Sequence, residues 1–246
     1  MTPDALLLAA LFFAAAALYA SVGHAGASAY LAAMALVGTA PDVMRPTALT
    51  LNLFVASIVV VRFAVAGHLP WRSLLPLVAG SVPAAFVGGS IDLAAEVYRP
   101  LVAAVLLAGA WRLATATAAA DDATPPGVPV VPGVLAGAAI GLLAGMTGTG
   151  GGIFLTPLLV LAAWTGTRDA AGLSGAFILV NSIAGLAGLS IGDVTLPPAL
   201  PLWGGAVMVG GGIGSWLGAA RFSVLGLRRA LAFVLVVAAA KLVLLP

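Results

Sequence analysis

The stretch Thr147-Gly148-Thr149-Gly150-Gly151-Gly152 interrupts a long run of apolar residues in the middle of the chain. Apolar segments at about 133–147 and 151–164 adjoin it, and both are shorter than the ~20 residues that a helix needs to span a ~30 Å hydrocarbon core. Glycine lets the backbone adopt conformations that other residues avoid, and it lets a ligand approach closely. The stretch therefore predicts a break between two short helices at membrane depth.

The composition indicates a membrane protein. Of the 246 residues, 62% are hydrophobic and 7% are charged, whereas about 25% of the residues in a typical soluble domain are charged. The net charge of +2 is small, and the basic residues are scattered along the chain, so a nucleic-acid partner is not indicated. Because the chain has no cysteine, disulfides, thiol catalysis and thiolate metal sites are excluded.

A second break, Ser21-Val22-Gly23-His24-Ala25-Gly26-Ala27-Ser28, lies near the start of the chain. Each break belongs to a set of five apolar segments, and residues 121–127, with two acids and two prolines, form an exposed linker between the sets. We therefore expect a first membrane repeat at 1–114, a linker at 115–132 and a second membrane repeat at 133–246. The segments lie at about 5–22, 27–38, 46–64, 73–91 and 97–113, and then at 133–147, 151–164, 172–191, 198–219 and 227–245.

The two sets align with each other as copies. When one fixed offset is added to the residue numbers of the first set, glycines of the first break align with glycines of the second. A slightly larger offset aligns an asparagine and two basic residues of the first set with their counterparts in the second. Because glycine is abundant in the chain, with 31 residues, the asparagine and basic pairs are the more informative matches. We therefore predict an internal duplication. The matched pairs are Gly23 with Gly148, Gly26 with Gly151, Asn52 with Asn181, Arg99 with Arg228 and Arg112 with Lys241.

The number of membrane crossings predicts that the copies are inverted. Each short pair returns to the side it left, and three full spans follow it, so each half makes an odd number of net crossings. The predicted fold is an all-α polytopic integral membrane protein with two inverted-topology repeats, each a short broken-helix pair plus three spanning helices. Seven basic residues fall on one side and three on the other, which makes the first side cytoplasmic and both termini extracytoplasmic. The seven are Arg62, Arg72, Arg112, Arg168, Arg221, Arg228 and Arg229, and the three are Arg45, Arg99 and Lys241.

The two breaks predict a binding site for an anion. Broken helices in inverted-repeat transporters meet near the midplane, and the N-termini of their half-helices face anionic groups. Asn52 and Asn181 each lie within an apolar span, where an uncharged amide can bind an oxyanion or form an interhelical hydrogen bond. The expected substrate-binding residues are Ser21, Gly23, His24, Gly26, Ala27, Ser28, Asn52, Thr147, Gly148, Thr149, Gly150, Gly151, Gly152 and Asn181.

The ionisable residues give little support for catalysis or for a metal site. His24 is the ionisable residue within a break, and either proton coupling or a neutral hydrogen-bonding role fits it. The acids fall in loops or helix ends, and the sequence lacks a zinc-protease or nucleophile-elbow motif. We therefore expect no enzyme activity, no cofactor and no metal ligands, although a sodium site built from carbonyls and hydroxyls stays open.

Several other residues are expected to have structural roles. Small residues line close helix contacts in membranes, and tryptophans near span ends anchor the protein at the interface. Three serines are expected to bond back to their own helix, and His68 is expected in a solvated loop. The packing glycines are Gly80, Gly88, Gly89, Gly205 and Gly210 to Gly212, the tryptophans are Trp71, Trp111, Trp164 and Trp203, and the serines are Ser57, Ser174 and Ser182.

Nearly the whole chain resembles the sulfite exporter TauE/SafE family of membrane permeases. The most specific part is the run Gly148 to Gly152 followed by Ile153-Phe154-Leu155-Thr156-Pro157, with Gly23-His24-Ala25-Gly26, Asn52 and Asn181 as further matches. Ala25 and Ala27 depart from the glycines expected there, which predicts a lopsided site. The resemblance implies transport of sulfite, a short sulfonate or a related small anion across the cytoplasmic membrane, without enzyme activity.

The sequence leaves three classes of function open. An alternating-access anion transporter with one site between the breaks agrees best with the inverted duplication. An anion channel would use the same breaks as a static filter, and a non-transporting membrane subunit or scaffold would need an assembly partner. For the transporter, the expected partners are the small anion, a coupled proton or sodium ion, the lipid bilayer and a second copy in a homodimer.

Overall fold

The computed structural model describes residues 3–115, 126–192, 194–218 and 225–244, and every regular element within them is a helix. Each of the ten predicted apolar segments coincides with one helix, which confirms an all-α polytopic membrane protein. Most of the predicted linker, and Arg221, lie outside the described residues. The helices are α1 (Pro3–Ala20), α2 (Ala27–Val37), α3 (Pro41–Val65), α4 (Trp71–Ser90), α5 (Ala95–Thr115), α6 (Val130–Thr147), α7 (Gly152–Leu161), α8 (Thr167–Leu189), α9 (Leu200–Gly218) and α10 (Leu225–Leu244).

Length and hydropathy together mark several helices as able to span a membrane, and two helices are too short to do so. Within the described residues, α1, α3, α4, α6 and α8 are long and apolar enough to cross a membrane. In contrast, α2 has 11 residues and α7 has 10, which corresponds to roughly 15–17 Å at 1.5 Å per residue. Neither short helix can cross a bilayer alone, so α2 and α7 begin at the two breaks and end inside the membrane or near one face of it.

Glycines let α4 and α6 pack with their backbones in contact. A Cβ atom on Gly80 would collide with the Val134 carbonyl, and one on Gly88 would collide with the Leu142 carbonyl. Along these contacts the residue numbers of both helices rise in the same direction, so α4 and α6 run parallel. On α6, Gly137, Gly141 and Gly145 make the reciprocal contacts with carbonyl groups of Leu77, Ser81 and Ala85.

The packing role predicted for the other glycines is confirmed in part. Gly210 and Gly214 of α9 face the carbonyls of Phe13 and Ala17 on α1, and Gly89 faces Gly185 on α8. The prediction is wrong for Gly205 and Gly212, because nothing lies within 4 Å of a Cβ atom built there. Thus α4 of the first half packs on α6 of the second half, while α9 of the second half packs on α1 of the first.

The helices that carry the two asparagines cross in opposite directions. Asn52 of α3 bonds to Ser182 of α8, while Val59, further along α3, contacts Gly175, which is earlier on α8. Residue numbers therefore rise on one helix as they fall on the other. Antiparallel α3 and α8 are what an inverted repeat requires, and the duplication itself stays a prediction.

Aromatic packing joins α1, α2 and α9. The Phe12 ring lies edge-on to Tyr30, at 5.1 Å between ring centroids, and to Trp203, at 5.3 Å. Trp203 is buried and donates from Nε1 to the Ala5 carbonyl at 3.0 Å. Its predicted role as an interfacial anchor is therefore wrong, whereas Trp71 and Trp111 are exposed.

Candidate functional site

The first break begins with a turn that reverses the end of α1. The His24 N–H donates to the Tyr19 carbonyl at 2.9 Å and the Gly23 N–H donates to the Ala20 carbonyl at 3.2 Å, the pattern of a Schellman cap. Gly23 takes a φ of +83° and packs against the backbone of Ala171, where a Cβ atom would not fit. This cap turns the chain so that the His24 side chain faces α7.

The second break needs glycine for both conformation and space. Gly148, Gly150 and Gly151 have φ values of +83°, +73° and +84°, respectively. A Cβ atom on Gly150 would lie 2.8 Å from Nδ2 of Asn52. The glycine run therefore brings the start of α7 against the asparagine of α3. At the corresponding point of the first break, Ala25 carries a side chain, so the breaks differ as the sequence predicts.

His24 joins the two breaks directly. Its Nε2 atom lies 3.1 Å from the Gly152 carbonyl oxygen and 3.0 Å from Oγ1 of Thr156, both on α7. Its Nδ1 atom lies 3.1 Å from the Val22 carbonyl oxygen in its own break. Thr156 in turn lies 2.6 Å from Oγ of Ser174 on α8. The His24 side chain thus connects the first break to α7 and, through Thr156, to α8.

A small cavity lies where the breaks meet. The cavity volume is about 10 Å³, counted as the positions that the centre of a water molecule can occupy. This volume is close to the minimum that holds one water molecule. Anything larger than water therefore needs the breaks to move apart. Its lining comes from both breaks and their neighbours, namely Tyr19, His24, Ala25, Gly26, Ala27, Ser28, Thr149, Ile153 and Ile178.

The predicted site residues separate into groups. Five of them line the cavity, and Ser28 among these shares a 2.7 Å hydrogen bond with Tyr19. The five are His24, Gly26, Ala27, Ser28 and Thr149. Ser21 instead donates to the Leu18 carbonyl of its own helix, so its predicted contact with a ligand is not supported by the geometry. Thr147 bonds back to the Leu143 carbonyl and lies 2.9 Å from Oγ1 of Thr149, which makes it a support for Thr149.

The two asparagines are fully buried and only partly bonded. Nδ2 of Asn52 donates to Oγ of Ser182 at 3.3 Å, and its Oδ1 has no hydrogen-bond partner in the protein. Both polar atoms of the Asn181 side chain lack a partner. An unsatisfied buried polar group costs about 1–3 kcal/mol, so these amides are available to a ligand that can supply the missing hydrogen bonds.

Arg45 places a buried positive charge beside the second break. The residue is 5% exposed, and the backbone and Cγ atom of Arg45 lie against Gly148. Its guanidinium group donates to four carbonyls at the C-terminal ends of two helices, where backbone acceptors lack partners within the helix. The acceptors are Gly145 of α6, at 2.8 Å, and Gly88, Gly89 and Ile91 at the end of α4, at 2.6, 2.6 and 2.9 Å.

Comparisons with known proteins agree with these features. The family model for the sulfite exporter TauE/SafE matches residues 7–242, which include both breaks and both asparagines. The chain belongs to the sulfite exporter TauE/SafE family. It is also 38% identical to the probable membrane transporter protein y4hK of Sinorhizobium fredii over 245 residues, which are 98% of this chain and 99% of the relative. No solved structure matches the chain.

As a TauE/SafE protein, the chain is a multi-pass membrane transporter. Sequence reasoning about this family member missed residues whose importance depends on tertiary contacts. Thr156 lies within the run that carries the family resemblance, but its bond to His24 spans 132 positions. Ser174 and Ser182 were expected to bond to their own helix and instead contact Thr156 and Asn52, while Ser57 does bond back to Leu53 as predicted.

Charged residues of this TauE/SafE protein lie mostly away from the cavity. His68 and Asp169 form a half-exposed pair, at 3.0 Å between Nδ1 and Oδ1, that connects the loop after α3 to the first turn of α8. Lys241 donates to the Leu36 carbonyl near the end of α2 at 2.7 Å. Among the described residues, no group of three or more His, Cys, Asp or Glu side chains is arranged to hold a metal ion.

Proposed function

We propose that this protein carries a small anion, sulfite or a short organosulfonate, across the cytoplasmic membrane by alternating access. The site lies between the two breaks, and the Nδ2 group of Asn181, together with the Nδ2 hydrogen of Asn52 that does not bond to Ser182, donates hydrogen bonds to the oxygens of the anion. The observation that carries the proposal is the pair of fully buried amides with unpartnered polar atoms, one of which touches the second break. The family description and the likeness to a probable transporter support the substrate class.

Helix polarity supports an anion rather than a cation. The first N–H groups of α2 and α7 have no partner within their helices, and a helix N-terminus carries a partial positive charge. Gly26 and Gly151 cap these helices without a side-chain hydrogen bond, so no side chain of the cap competes for those donors. Backbone donors from both halves therefore converge near the cavity.

Arg45 strengthens the electrostatic argument. The C-terminal ends of α4 and α6 carry partial negative charge that would repel an anion near Gly148. The guanidinium group offsets this charge because it donates to four carbonyls at those ends. With a buried cation beside the second break, a doubly charged sulfite is less costly to bind than it would be without that cation.

The narrow cavity supports a carrier over a channel. A static filter needs a continuous path that an ion can follow, whereas this cavity has room for about one water molecule. His24 bonds the first break to the second, and Arg45 bonds α3 to the end of α6, just before the second break. An anion enters such a site only when one of these connections opens, which is the behaviour of alternating access.

A counterflow experiment tests the proposal. Purified protein in liposomes preloaded with sulfite, methanesulfonate, sulfate or acetate is given a trace of the labelled anion outside, and uptake is followed. We expect uptake for sulfite or methanesulfonate, and a loss of apparent affinity of about tenfold or more in Asn181→Ala, since a hydrogen bond to a charged group is worth about 1.5–3 kcal/mol. Ser57→Ala, which removes a hydroxyl bonded to its own helix, is the matched control.

Two results would overturn the assignment. Wild-type uptake of none of the four anions would contradict transport of this substrate class. Equal affinity of Asn181→Ala and wild type would remove Asn181 from the site while leaving transport intact.

A further inference from the structure

The His24 ring has a backbone carbonyl at each of its two nitrogens. Val22 presents its oxygen to Nδ1 and Gly152 presents its oxygen to Nε2, each at 3.1 Å. Val22 belongs to the first break, and Gly152 is the last residue of the second break and the first residue of α7. The ring therefore lies between two acceptors that belong to opposite halves of the chain.

The number of protons on the ring decides whether both contacts are hydrogen bonds. A carbonyl oxygen accepts and cannot donate, a neutral imidazole has one N–H, and an imidazolium has two. The ring donates to both carbonyls together only when His24 is an imidazolium. In that state the side chain holds the two breaks against each other through one charged donor on each side.

A neutral ring has a different consistent arrangement. Nδ1–H donates to Val22, and the Nε2 lone pair accepts from the Thr156 hydroxyl, which lies 3.0 Å away and can itself accept from Ser174 at 2.6 Å. The Gly152 carbonyl then faces a lone pair and loses the hydrogen bond from the ring. The two arrangements differ by one proton and by one hydrogen bond between the breaks.

The groups around the ring are mostly uncharged. From α1, Tyr19 stacks edge-on at 6.3 Å between ring centroids, and its hydroxyl is engaged by Ser28. From α2, the Tyr30 hydroxyl donates to the Ala25 carbonyl. The α7 sequence contains no Asp, Glu, Lys, Arg or His.

The charged residues of the neighbouring helices α3 and α8 are bonded elsewhere or lie near helix ends. Asp169 of α8 is paired with His68, and Arg168 precedes it in the same first turn. On α3, Arg45 is bound by four carbonyls, and Asp42 and Arg62 lie near the two helix ends. An anion in the cavity, which His24 itself lines, is therefore well placed to offset a charge on the ring.

We propose that His24 is the proton-binding group of the carrier and that one proton moves with each anion. This inference rests on the proposed function. A proton from solution on the loading side binds the Nε2 lone pair, forming an N–H bond, when the anion enters. The imidazolium then closes the connection to Gly152. On the opposite side the N–H bond breaks, the proton returns to solution with the anion, and the connection between the breaks is released.

Simultaneous measurement of the two fluxes tests the proposal. The probe is methanesulfonate, which stays a monoanion at neutral pH, so any proton movement belongs to the protein and not to the substrate. Liposomes contain a pH-sensitive dye, and an inward methanesulfonate gradient is imposed with the membrane potential clamped. We expect wild type to acidify the lumen as the labelled anion enters, and uptake to be faster from acidic than from alkaline solution.

Two variants locate the proton. His24→Gln keeps a hydrogen-bonding side chain but binds no proton, so any methanesulfonate that this variant takes up should enter without a proton flux above that of protein-free liposomes. His68→Gln removes the histidine outside the cavity, and it should behave as wild type in both measurements.

Each outcome has one meaning. If wild type takes up methanesulfonate without acidification, or if His24→Gln acidifies the lumen as wild type does, the proton assignment is wrong and the proposed transport stands. If wild type shows no counterflow of methanesulfonate, the proposed function fails for this anion and this inference fails with it. A misfolded His24→Gln variant leaves the wild-type flux measurement decisive.

Discussion

Nε of Arg45 lies 2.8 Å from the carbonyl oxygen of Gly145, which bonds a side chain of α3 to a helix end on the other half of the chain. Near the opposite end of α3, the loop residue His68 bonds to Asp169 of α8. The 25 residues of α3 extend over roughly 37 Å at 1.5 Å per residue. The halves are thus connected near both ends of one helix, once by a buried cation and once by a half-exposed pair.

Removal of the Arg45 guanidinium should destabilise the protein strongly. In Arg45→Met, four buried carbonyls lose a charged donor, and we expect the free energy of unfolding to fall by about 3 kcal/mol or more. Arg45→Lys should recover only part of this, because an ammonium group lacks the fork that reaches several carbonyls. Thermal unfolding in detergent, followed by tryptophan fluorescence, measures the loss.

Arg62→Met is the control for Arg45, because Arg62 is an exposed arginine on the same helix. Its unfolding temperature should stay close to that of wild type, since surface substitutions are usually worth within about 0.5 kcal/mol. Equal unfolding temperatures for Arg45→Met and Arg62→Met would contradict a stabilising role for the buried guanidinium.

Gly137→Ala should disrupt the contact between α4 and α6. The added methyl group would collide with the Leu77 carbonyl, which is part of a helix backbone and cannot rotate away. Overpacking of this kind costs about 1–3 kcal/mol. Gly205→Ala is the comparison, because nothing lies within 4 Å of its Cβ position. Helix propensity should make that variant neutral or more stable by up to about 1 kcal/mol, and a destabilised Gly205→Ala would argue against the assigned packing.

Ala163→Gly should stabilise the loop after α7. Ala163 has a φ of +52°, the left-handed conformation that glycine adopts without penalty, and its N–H caps the helix at the Val160 carbonyl. We expect a gain of about 1 kcal/mol. At the neighbouring Ala162, with a φ of −77°, the same change only increases the freedom of the unfolded chain, so Ala162→Gly should lower the unfolding temperature. Loss of stability in both variants would refute the strain at Ala163.

The predicted orientation places both termini outside the cell. The chain has no cysteine, so a single introduced cysteine reports its own side of the membrane. In intact cells, a membrane-impermeant maleimide should label Asp92→Cys, after α4, and leave Ala66→Cys, after α3, unlabelled until the cells are opened. Both positions are exposed in the structure. The reverse labelling pattern would show that the orientation predicted from the distribution of basic residues is wrong.

The sequence predicted the helices well because nearby residues determine where each helix begins and ends. Apolar runs end at glycine, proline or charge, and Gly23, Gly67 and Gly148 each follow the last turn of a helix with a positive φ. Such caps depend on neighbouring residues alone. For the same reason, the two breaks and their unequal glycine content were visible before any tertiary contact was known.

The contacts within the site were less predictable because they connect distant residues. Arg45 was predicted only as one of the basic residues on the extracytoplasmic side, but it is buried and donates to carbonyls at the ends of two other helices. Trp203 was expected at the interface, but its indole N–H finds a carbonyl inside the protein. For both residues, tertiary packing supplies a backbone carbonyl that replaces water as the hydrogen-bond acceptor.

The pairing of α1 with α9 bears on how the protein is made. Trp203 donates to Ala5 across 198 positions, and the glycines of α9 that meet α1 come later still in the chain. At roughly 5–20 residues per second, α1 waits in the bilayer for about 10–40 s before its partner is synthesised. During biogenesis the face of α1 that meets α9 is therefore among the last surfaces to be packed, and a nascent chain that stops before α9 leaves this face of α1 exposed to lipid.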